Sequence, residues 1–487
     1  MNHNVAILIP NTRWFTKRAW IKVNYASLIL TRLLKDNCSL TLIDANGGNM
    51  SEEKTIEKIK EIKPDIVLIP AMSVEYYKQN HKAAELVKGV SGDIITVMGG
   101  VYVTTLTEEA VLDRNIDFAF IGYAEDRIEE FMHLLFNKEY DVIRENYAGI
   151  AFLDEQGNVI INEQQLLIKD ISKIAEPDYS LTDMTPYVTR IEKREFQFTF
   201  NENSATLITS YGCPYNCVFC AVRTITGRHI RFRDPDEIIS EMEYLMKEYD
   251  VKAFTFMDDC ILFDRKRIEY FLGKIVEKSF NIKFKIFNAS LWHIDESLIK
   301  LLKDAGCIYF AISVESGSDR ILKDVIKKPL DKKYVPKVIK WARDAGIVVS
   351  TSWIIGFPDE TWNEIRETFR FAEEIDSDYA VFHIATPLPK TDLYKSFVEK
   401  GFLPEDFSFR DERFFGFAEC FVDSDEFTSF ELKVLRAFEW DRINFKTEAK
   451  SKVIANLLNI SDEELLDFRK NTRLNCGVYF VPDMETN

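Results

Sequence analysis

A chain of 487 residues is too long for one compact core, so two or three domains are expected, and 46% hydrophobic with 29% charged residues suffices to bury them. The net charge of −17 and a pI near 5.1 disfavour nucleic acid as the main partner, since phosphate neutralisation needs a basic face. No signal peptide is visible after Met1 and no run of about 18 apolar residues appears, so the protein reads as soluble and cytoplasmic, with no membrane span.

The first segment alternates apolar strands with amphipathic helices. "NVAILIP" has the uninterrupted apolar character of a buried parallel strand. "YASLILTRLLKDN" has helical spacing, and "SLTLIDANG" is a second strand ending in turn residues. Ser51 caps a helix whose apolar positions are Ile56, Ile59 and Ile62. "PDIVLIPAMS" and "DIITVMGG" follow as strands, then a helix from Leu106 and a last strand, "DFAFIGYAE". Such alternation predicts a doubly wound, Rossmann-like α/β domain over residues 1–146.

Residues 147–204 read as an ordered linker that opens with a hairpin, "AGIAFLDEQGNVIINE". A second alternation occupies residues 205–398. Its six apolar runs begin at "ATLITSYG" and end at "YAVFHIATP", which suits a full or partial (β/α)6 barrel with its active groups at the C-terminal strand ends. Residues 399–487 are mainly helical and rich in aromatics, and are expected to form a substrate or lid region. The high aromatic content of the whole chain, 37 Phe, hints at apolar cavities as well as core.

Eight cysteines in a large chain of a reducing compartment are not a disulfide framework. Cys38, Cys260, Cys307, Cys420 and Cys476 are scattered and read as small buried residues. Cys213, Cys217 and Cys220 stand apart. Spaced C-x3-C-x2-C after the first strand of the predicted barrel, they suit one side of an iron–sulfur cluster. A zinc site would need a fourth ligand, and the next candidates, His229 and Cys260, lie on different elements.

This motif, with Phe219 before its last cysteine, resembles the radical S-adenosylmethionine (SAM) enzymes. "FTFMDDCILFDRKR", "ISVESGSDRILKDVIKK", "IIGFPDETWNEIRETFRFA" and "TPLPKTDLY" resemble further turns of that family in order, with Lys390 where Gly is usual. "LIDANG", "KPDIVLIPAMS", "VMGGVYVTT" and "DFAFIGYAE" resemble the cobalamin-binding domain that precedes the barrel in the cobalamin-dependent members. There are departures. Val101-Tyr102-Val103-Thr104 follows the Gly pair, Gly122-Tyr123-Ala124-Glu125 replaces Gly-Glu-Gly-Glu, and no D-x-H-x-x-G presents a histidine to cobalt; His81 lacks the flanking Asp and Gly.

The resemblance implies three cofactors: a [4Fe-4S] cluster on Cys213, Cys217 and Cys220, SAM, and cobalamin. It implies SAM contacts from Phe219, Asp258, Asp259, Glu315, Ser316, Ile355 and Gly356, with Gly317 allowing close approach. It implies a cobalamin crevice of Ser73, Gly99, Gly100, Val101, Tyr102, Gly122 and Tyr123. Arg231 and Arg233 are candidates either for a carboxylate of cofactor or substrate or for a structural salt bridge. The function implied is C-methylation of an unactivated carbon through a 5′-deoxyadenosyl radical and methylcobalamin, with an electron donor such as flavodoxin or ferredoxin; a small natural-product molecule is the expected substrate, with peptides and lipids as the other classes the sequence leaves open. The alternatives are a cyclase or ring-rearranging enzyme with the same cofactors, and a non-catalytic iron–sulfur or corrinoid sensor. A tRNA methylthiotransferase is disfavoured, because the N-terminal domain offers only Cys38.

Overall fold

The computed structural model describes residues 3–15, 19–162, 176–189, 198–403, 407–411 and 419–476. The chain divides into two compact units, between Tyr187 and Val188 apart from a few short exchanged pieces.

The first unit is built on a seven-stranded sheet in the order β2-β1-β3-β4-β5-β6-β7: β1 (Asn4–Ile9), β2 (Ser39–Asp44), β3 (Ile66–Pro70), β4 (Ile95–Gly99), β5 (Phe118–Phe120), β6 (Ile150–Leu153) and β7 (Val159–Ile161). The first five strands run parallel. Their apolar runs are buried on both faces, as β1 and β3 show with Val5–Ile9 and Ile66–Pro70. Helices start where the sequence caps them: Ser51 accepts from Lys54 N, ahead of the helix Glu52–Ile62. Two short helices, Val101–Thr105 and Thr107–Val111, stand where one from Leu106 was expected.

The expected linker belongs to this unit. Its hairpin forms β6 and β7, and β6 pairs antiparallel with β5. An exposed edge at β5 would leave backbone groups unpaired, and the hairpin supplies their partners. Farther on, the Tyr187 hydroxyl donates to Asp44 at 2.5 Å and Lys35 pairs with Asp178 at 2.5 Å. The boundary expected at residue 146 therefore falls inside a continuous structure, and the first unit extends to residue 187.

The second unit carries six parallel strands in the order β15-β14-β13-β12-β11-β8: β8 (Ser204–Leu207), β11 (Ala253–Phe256), β12 (Lys283–Ile286), β13 (Cys307–Glu315), β14 (Val348–Ile355) and β15 (Tyr379–Ile384). A two-residue pair, β9 (Ser210–Tyr211) and β10 (Arg231–Phe232), brackets the cysteine loop. β8 and β15 do not pair, so the barrel is partial. One face of each strand meets the helices. Phe256 packs edge-on against Phe271, and Trp353 against Phe371.

The opposite face carries Lys285, Tyr309, Ser313, Ser350 and Ser352 in register, with Tyr309 and Ser350 hydrogen-bonded. The tail closes the free edge at β15. Asn444, on the helix Ser429–Asn444, accepts from Ala380 N at 2.8 Å and donates to Ala380 O at 2.7 Å, replacing a missing strand. The tail helices thus belong to the barrel's own unit. Phe414, Phe415, Gly416 and Phe417, the aromatic run of the expected lid, lie outside the described residues.

Candidate functional site

The cysteine loop leaves β9 at Gly212, whose φ of +92° and close approach to His229 O admit no side chain. Backbone bonds then pin the loop. Cys213 N donates to Gly227 O, Val218 N to Ile326 O and Cys220 N to Cys217 O, each at 3.1 Å, and Leu393 N donates to Val218 O at 2.9 Å. All three thiols are free and partly exposed, so none is spent on holding the loop. Burial pushes Cys217 up to about 11 and Cys220 up to about 12, while Cys213 is raised first by a hydrogen bond with Cys260 and then by burial. Thiols so desolvated become thiolates only beside a strong positive charge, which iron provides.

Among the described residues no three His, Cys, Asp or Glu side chains converge on a single ion. A cluster asks for something else, because its thiolates bind different irons. Three unspent thiols on a pinned loop fit it.

The turns at the C-terminal strand ends surround this loop. After β11, Asp258 is 1% exposed, and its Oδ1 accepts from Thr209 N, Thr209 Oγ1 and Ser210 Oγ at 2.9, 2.7 and 2.6 Å. Its Oδ2 is buried without a partner, and burial pushes the carboxyl up. Asp259 Oδ2 accepts from Gly212 N at 2.8 Å. Both carboxylates grip the segment leading into Cys213, with Asp258 the interior member.

After β13, Glu315 adopts φ +73° and pairs with Lys328 at 2.8 Å, both buried, beside Cys217. A non-glycine residue held there is strained, and such strain clusters at functional turns. Ser316 is fully buried and its hydroxyl meets Thr368 Oγ1 and Ser318 N. A Cβ on Gly317 would meet Glu367 O at 2.6 Å. These two residues therefore dock the turn on the helix Trp362–Ile375, which absorbs the hydroxyl and the close approach expected to serve a ligand.

After β14, Ile355 is buried and Gly356 takes φ +84°. Glu360 Oε2 accepts from Gly356 N at 2.6 Å and Phe357 N at 3.2 Å. Phe219 lies 6.4 Å from Phe357, so the cysteine loop and the β14 turn share an aromatic contact. Arg233 is spent on a buried ion pair with Glu241 at 2.7 Å, the structural alternative, and Arg231 is 4% exposed.

Sequence reasoning missed three groups. Cys260, set among the scattered cysteines, is fully buried in the turn after β11 with its thiol 3.3 Å from Ser290 Oγ; the only hint was its place next to Asp258-Asp259. Tyr215, inside the cysteine loop, accepts from Trp292 Nε1 at 2.5 Å and meets His293 Nε2 at 2.7 Å. The inner-face polar residues had a period-two signal within apolar runs, as in "VVSTSWII". His383 on β15 is held down to about 4 by burial and by Arg436.

In the first unit, the chain passes from β1 to β2 on one side of β1 and then crosses from β2 to β3 on the other, which makes the gap between β1 and β3 a topological switch point. A small cleft lies there, at the ends of Ile9 and Pro70, with Met72, Gln79 and Asn80 among its walls. Asn80 is 3% exposed and its Nδ2 has no partner. An orphaned donor at a switch point suits one polar group of a ligand lying over the strand ends, where a cobalamin would be held.

Several expected crevice residues serve the fold. Ser73 caps Glu75 N, a Cβ on Gly100 would meet Ala71 O at 2.5 Å, and Gly122 N donates to Thr104 Oγ1 at 2.9 Å. Gly99 and Val101 are half-buried, as is Tyr123. Tyr102 is 1% exposed and bonded to His81 Nε2, whose Nδ1 meets Asp113, each at 2.7 Å. Both nitrogens of His81 are thus engaged within the fold.

Two family models match the chain: the B12 binding domain over residues 23–132 and the radical SAM superfamily over residues 207–372. An uncharacterised methyltransferase of Pyrococcus horikoshii is 29% identical over 375 residues, 77% of this chain and 78% of the relative. An anaerobic magnesium-protoporphyrin IX monomethyl ester cyclase of Rubrivivax gelatinosus is 27% identical over 74% of this chain and 63% of the relative. A cytidylyl-2-hydroxyethylphosphonate methyltransferase of Streptomyces wedmorensis is 27% identical over 74% and 72%.

Among solved structures, the cobalamin-dependent SAM radical enzyme OxsB with aqua-cobalamin and SAM bound superposes with TM-score 0.71 at 16% identity, over 97% of this chain and 72% of that one. The radical SAM methyltransferase TsrM from Kitasatospora setae gives 0.67 at 14%, over 82% and 76%; both share the fold. Joining a B12 binding domain to a radical SAM domain, the chain belongs to the cobalamin-dependent radical SAM enzymes, whose domains use a [4Fe-4S] cluster, SAM and cobalamin.

Proposed function

We propose that this enzyme is a C-methyltransferase acting on an unactivated carbon of a small molecule. The observation that carries this reading is that the relatives named methyltransferases from Pyrococcus horikoshii and Streptomyces wedmorensis align over 77% and 74% of the chain, more than the barrel alone. When bound, the cluster with SAM supplies hydrogen abstraction and cobalamin supplies a methyl group.

Cys213, Cys217 and Cys220 hold the cluster. Asp258 fixes the approach to Cys213 through Thr209 and Ser210, and Asp259 does so through Gly212. Phe219, Ile355 and Gly356 form the adenine slot with Phe357, while the buried Glu315–Lys328 pair sets the charge beside Cys217. Ser316 keeps the Glu315 turn in place. In the first unit Asn80, Gly99, Val101 and Tyr123 face the corrinoid, and Ser73, Gly100, Tyr102 and Gly122 shape the turns that carry them.

Residues 205–398 form the catalytic barrel and 399–487 its edge cover and substrate wall. The inner-face hydroxyls of Ser313 and Ser352, partly exposed, suit a polar small molecule. A low-potential one-electron protein of flavodoxin or ferredoxin type supplies the electron, in the cytoplasm. Among the described residues no helix is long and apolar enough to cross a membrane.

The test is the fate of SAM labelled in its methyl group, incubated with the reconstituted enzyme, a reductant and candidate small molecules. Label in the product together with deoxyadenosine supports the proposal. Deoxyadenosine with a converted but unlabelled product establishes the second reading, a cyclase or rearranging enzyme, which the Rubrivivax gelatinosus relative favours.

A further inference from the structure

The chain carries a net charge of −17, yet residues 203–233, which contain the cysteine loop, hold four arginines and no Asp or Glu. Arg231 and Arg233 are buried. The other two gather at the loop itself. Arg223 Nη1 donates to Asn216 Oδ1 at 2.7 Å, and the exposed Arg228 bonds the same oxygen. Two more segments of the second unit dock on the loop through Val218, whose N donates to Ile326 O at 3.1 Å and whose O accepts from Leu393 N at 2.9 Å. Each brings a lysine. Lys327 directly follows Ile326 and is exposed, and Lys395, on the helix Asp392–Glu399, is 65% exposed. Asp392 stands among these cations, bonded to Arg223 at 2.9 Å and 3.7 Å from Lys395. Lys323 and Asp324, both exposed on the helical segment Ile321–Ile326, offset each other.

Asp392 alone does not neutralise Arg223, Arg228, Lys327 and Lys395, so a basic rim surrounds Asn216–Val218 in a chain that is acidic as a whole. Such a rim selects a partner that presents carboxylates, and the acidic remainder turns the same partner away from other faces. Cys217 lies between Asn216 and Val218, so a protein seated on the rim sits beside the ligating thiols. Electron transfer weakens steeply with distance, and a donor has to sit there. We propose that the rim of Arg223, Arg228, Lys327 and Lys395 is the docking surface for an acidic one-electron protein. A single electron passes from that protein's reduced flavin or iron–sulfur centre to the oxidised cluster. The proposal rests on the reading of residues 213–220 as the cluster loop, and it adds where the electron enters.

The experiment reconstitutes three full-length proteins anaerobically: wild type, the charge-reversed pair Lys327→Glu with Lys395→Glu, and the neutral pair Lys327→Gln with Lys395→Gln. Iron and sulfide are counted. Cluster reduction is then timed with reduced flavodoxin or ferredoxin, whichever serves the wild type, and with reduced methyl viologen, a small cation that needs no docking surface. With the protein donor at low salt, the charge-reversed pair should be reduced about tenfold more slowly than wild type, and the neutral pair should fall between them. Added salt should slow the wild type towards the variants. Methyl viologen should reduce all three at one rate.

Full clusters with an unchanged rate from the protein donor overturn the proposal, as does a loss shared with methyl viologen, which would place the fault in the cluster. Lost retention of an RNA oligonucleotide beside an unchanged donor rate overturns it in favour of a nucleic-acid surface. Should the charge-reversed pair not hold its iron, the neutral pair and the salt dependence of the wild type decide by the same comparison. Wild type that takes up no cluster refutes the reading of residues 213–220 itself, a result that iron content reports separately from any rate.

Discussion

The cysteine loop and the glycine crevice at β4 carry the two cofactor signals of the sequence, and the fold spends their residues differently. In the loop, backbone bonds and two aspartates from the next strand do the structural work, and Cys213, Cys217 and Cys220 are left for chemistry. In the crevice, Ser73, Gly100, Tyr102 and Gly122 have local structural tasks, and the orphaned donor is Asn80, on the helix Tyr77–Val90. A cofactor held by covalent side-chain ligands forces particular residues at particular spacings. One held by shape and backbone constrains only turns, which the fold needs anyway.

The comparison breaks most readily at the thiols. Cys217→Ala should reduce bound iron to background and abolish deoxyadenosine formation, with melting of the metal-free protein little changed because the thiol carries no structural bond. Iron analysis beside thermal unfolding checks this. A large fall in melting temperature without metal would show that the thiol holds the loop after all.

The Glu315–Lys328 pair should follow. Lys328→Met leaves a buried carboxylate unpaired on a strained residue, at a cost of about 3 to 5 kcal/mol. Adding Glu315→Gln removes the stranded charge and should restore much of the loss. Denaturant unfolding of the two variants measures the difference.

Glu360 gives the region a pH signature. Burial raises its carboxyl from 4.5 to about 8 while Gly356 N and Phe357 N still donate to it. Below 4.5 the stabilising contribution of its proton is complete. As the pH rises the unfolded chain ionises first, and stability falls by about 1.4 kcal/mol per pH unit until the folded group also ionises near 8. Glu360→Gln keeps the acceptor and removes the titration. Its melting curve should therefore overtake that of the wild type between about pH 6 and about pH 8.

The sequence made the strands of both units and the cysteine motif legible because each has a short-range signature. Parallel strands are apolar runs, and the three thiols lie within one loop. What it hid depends on tertiary contact. Cys260 reaches Ser290 across 30 positions, Tyr215 reaches His293 across 78, and nothing in either neighbourhood requires the other. Ser316 adds a second case: its Glu-Ser-Gly turn is recognisable in the sequence, while the contacts of its buried hydroxyl with Thr368 and Ser318 exist only in the fold. The linker hairpin was legible as a hairpin but not as sheet, since pairing with β5 depends on an edge that only the fold creates.

The smallest effect sharpens the crevice. A buried amide donor without a partner costs the fold about 1 to 3 kcal/mol, so a protein that keeps one gains by losing it unless a ligand satisfies it. Asn80→Leu should therefore raise the melting temperature of the cofactor-free protein. If the cleft between β1 and β3 holds the corrinoid, the same change should weaken cobalamin retention by about tenfold, the worth of one hydrogen bond of about 1.4 kcal/mol. Equilibrium dialysis with cobalamin and thermal unfolding separate the two effects. Opposite signs would make Asn80 the crevice's counterpart of the free thiols: a side chain the fold keeps at its own expense for a cofactor. Higher stability with unchanged retention would move the corrinoid away from this cleft and leave the half-buried Gly99 and Val101 turn as its remaining support.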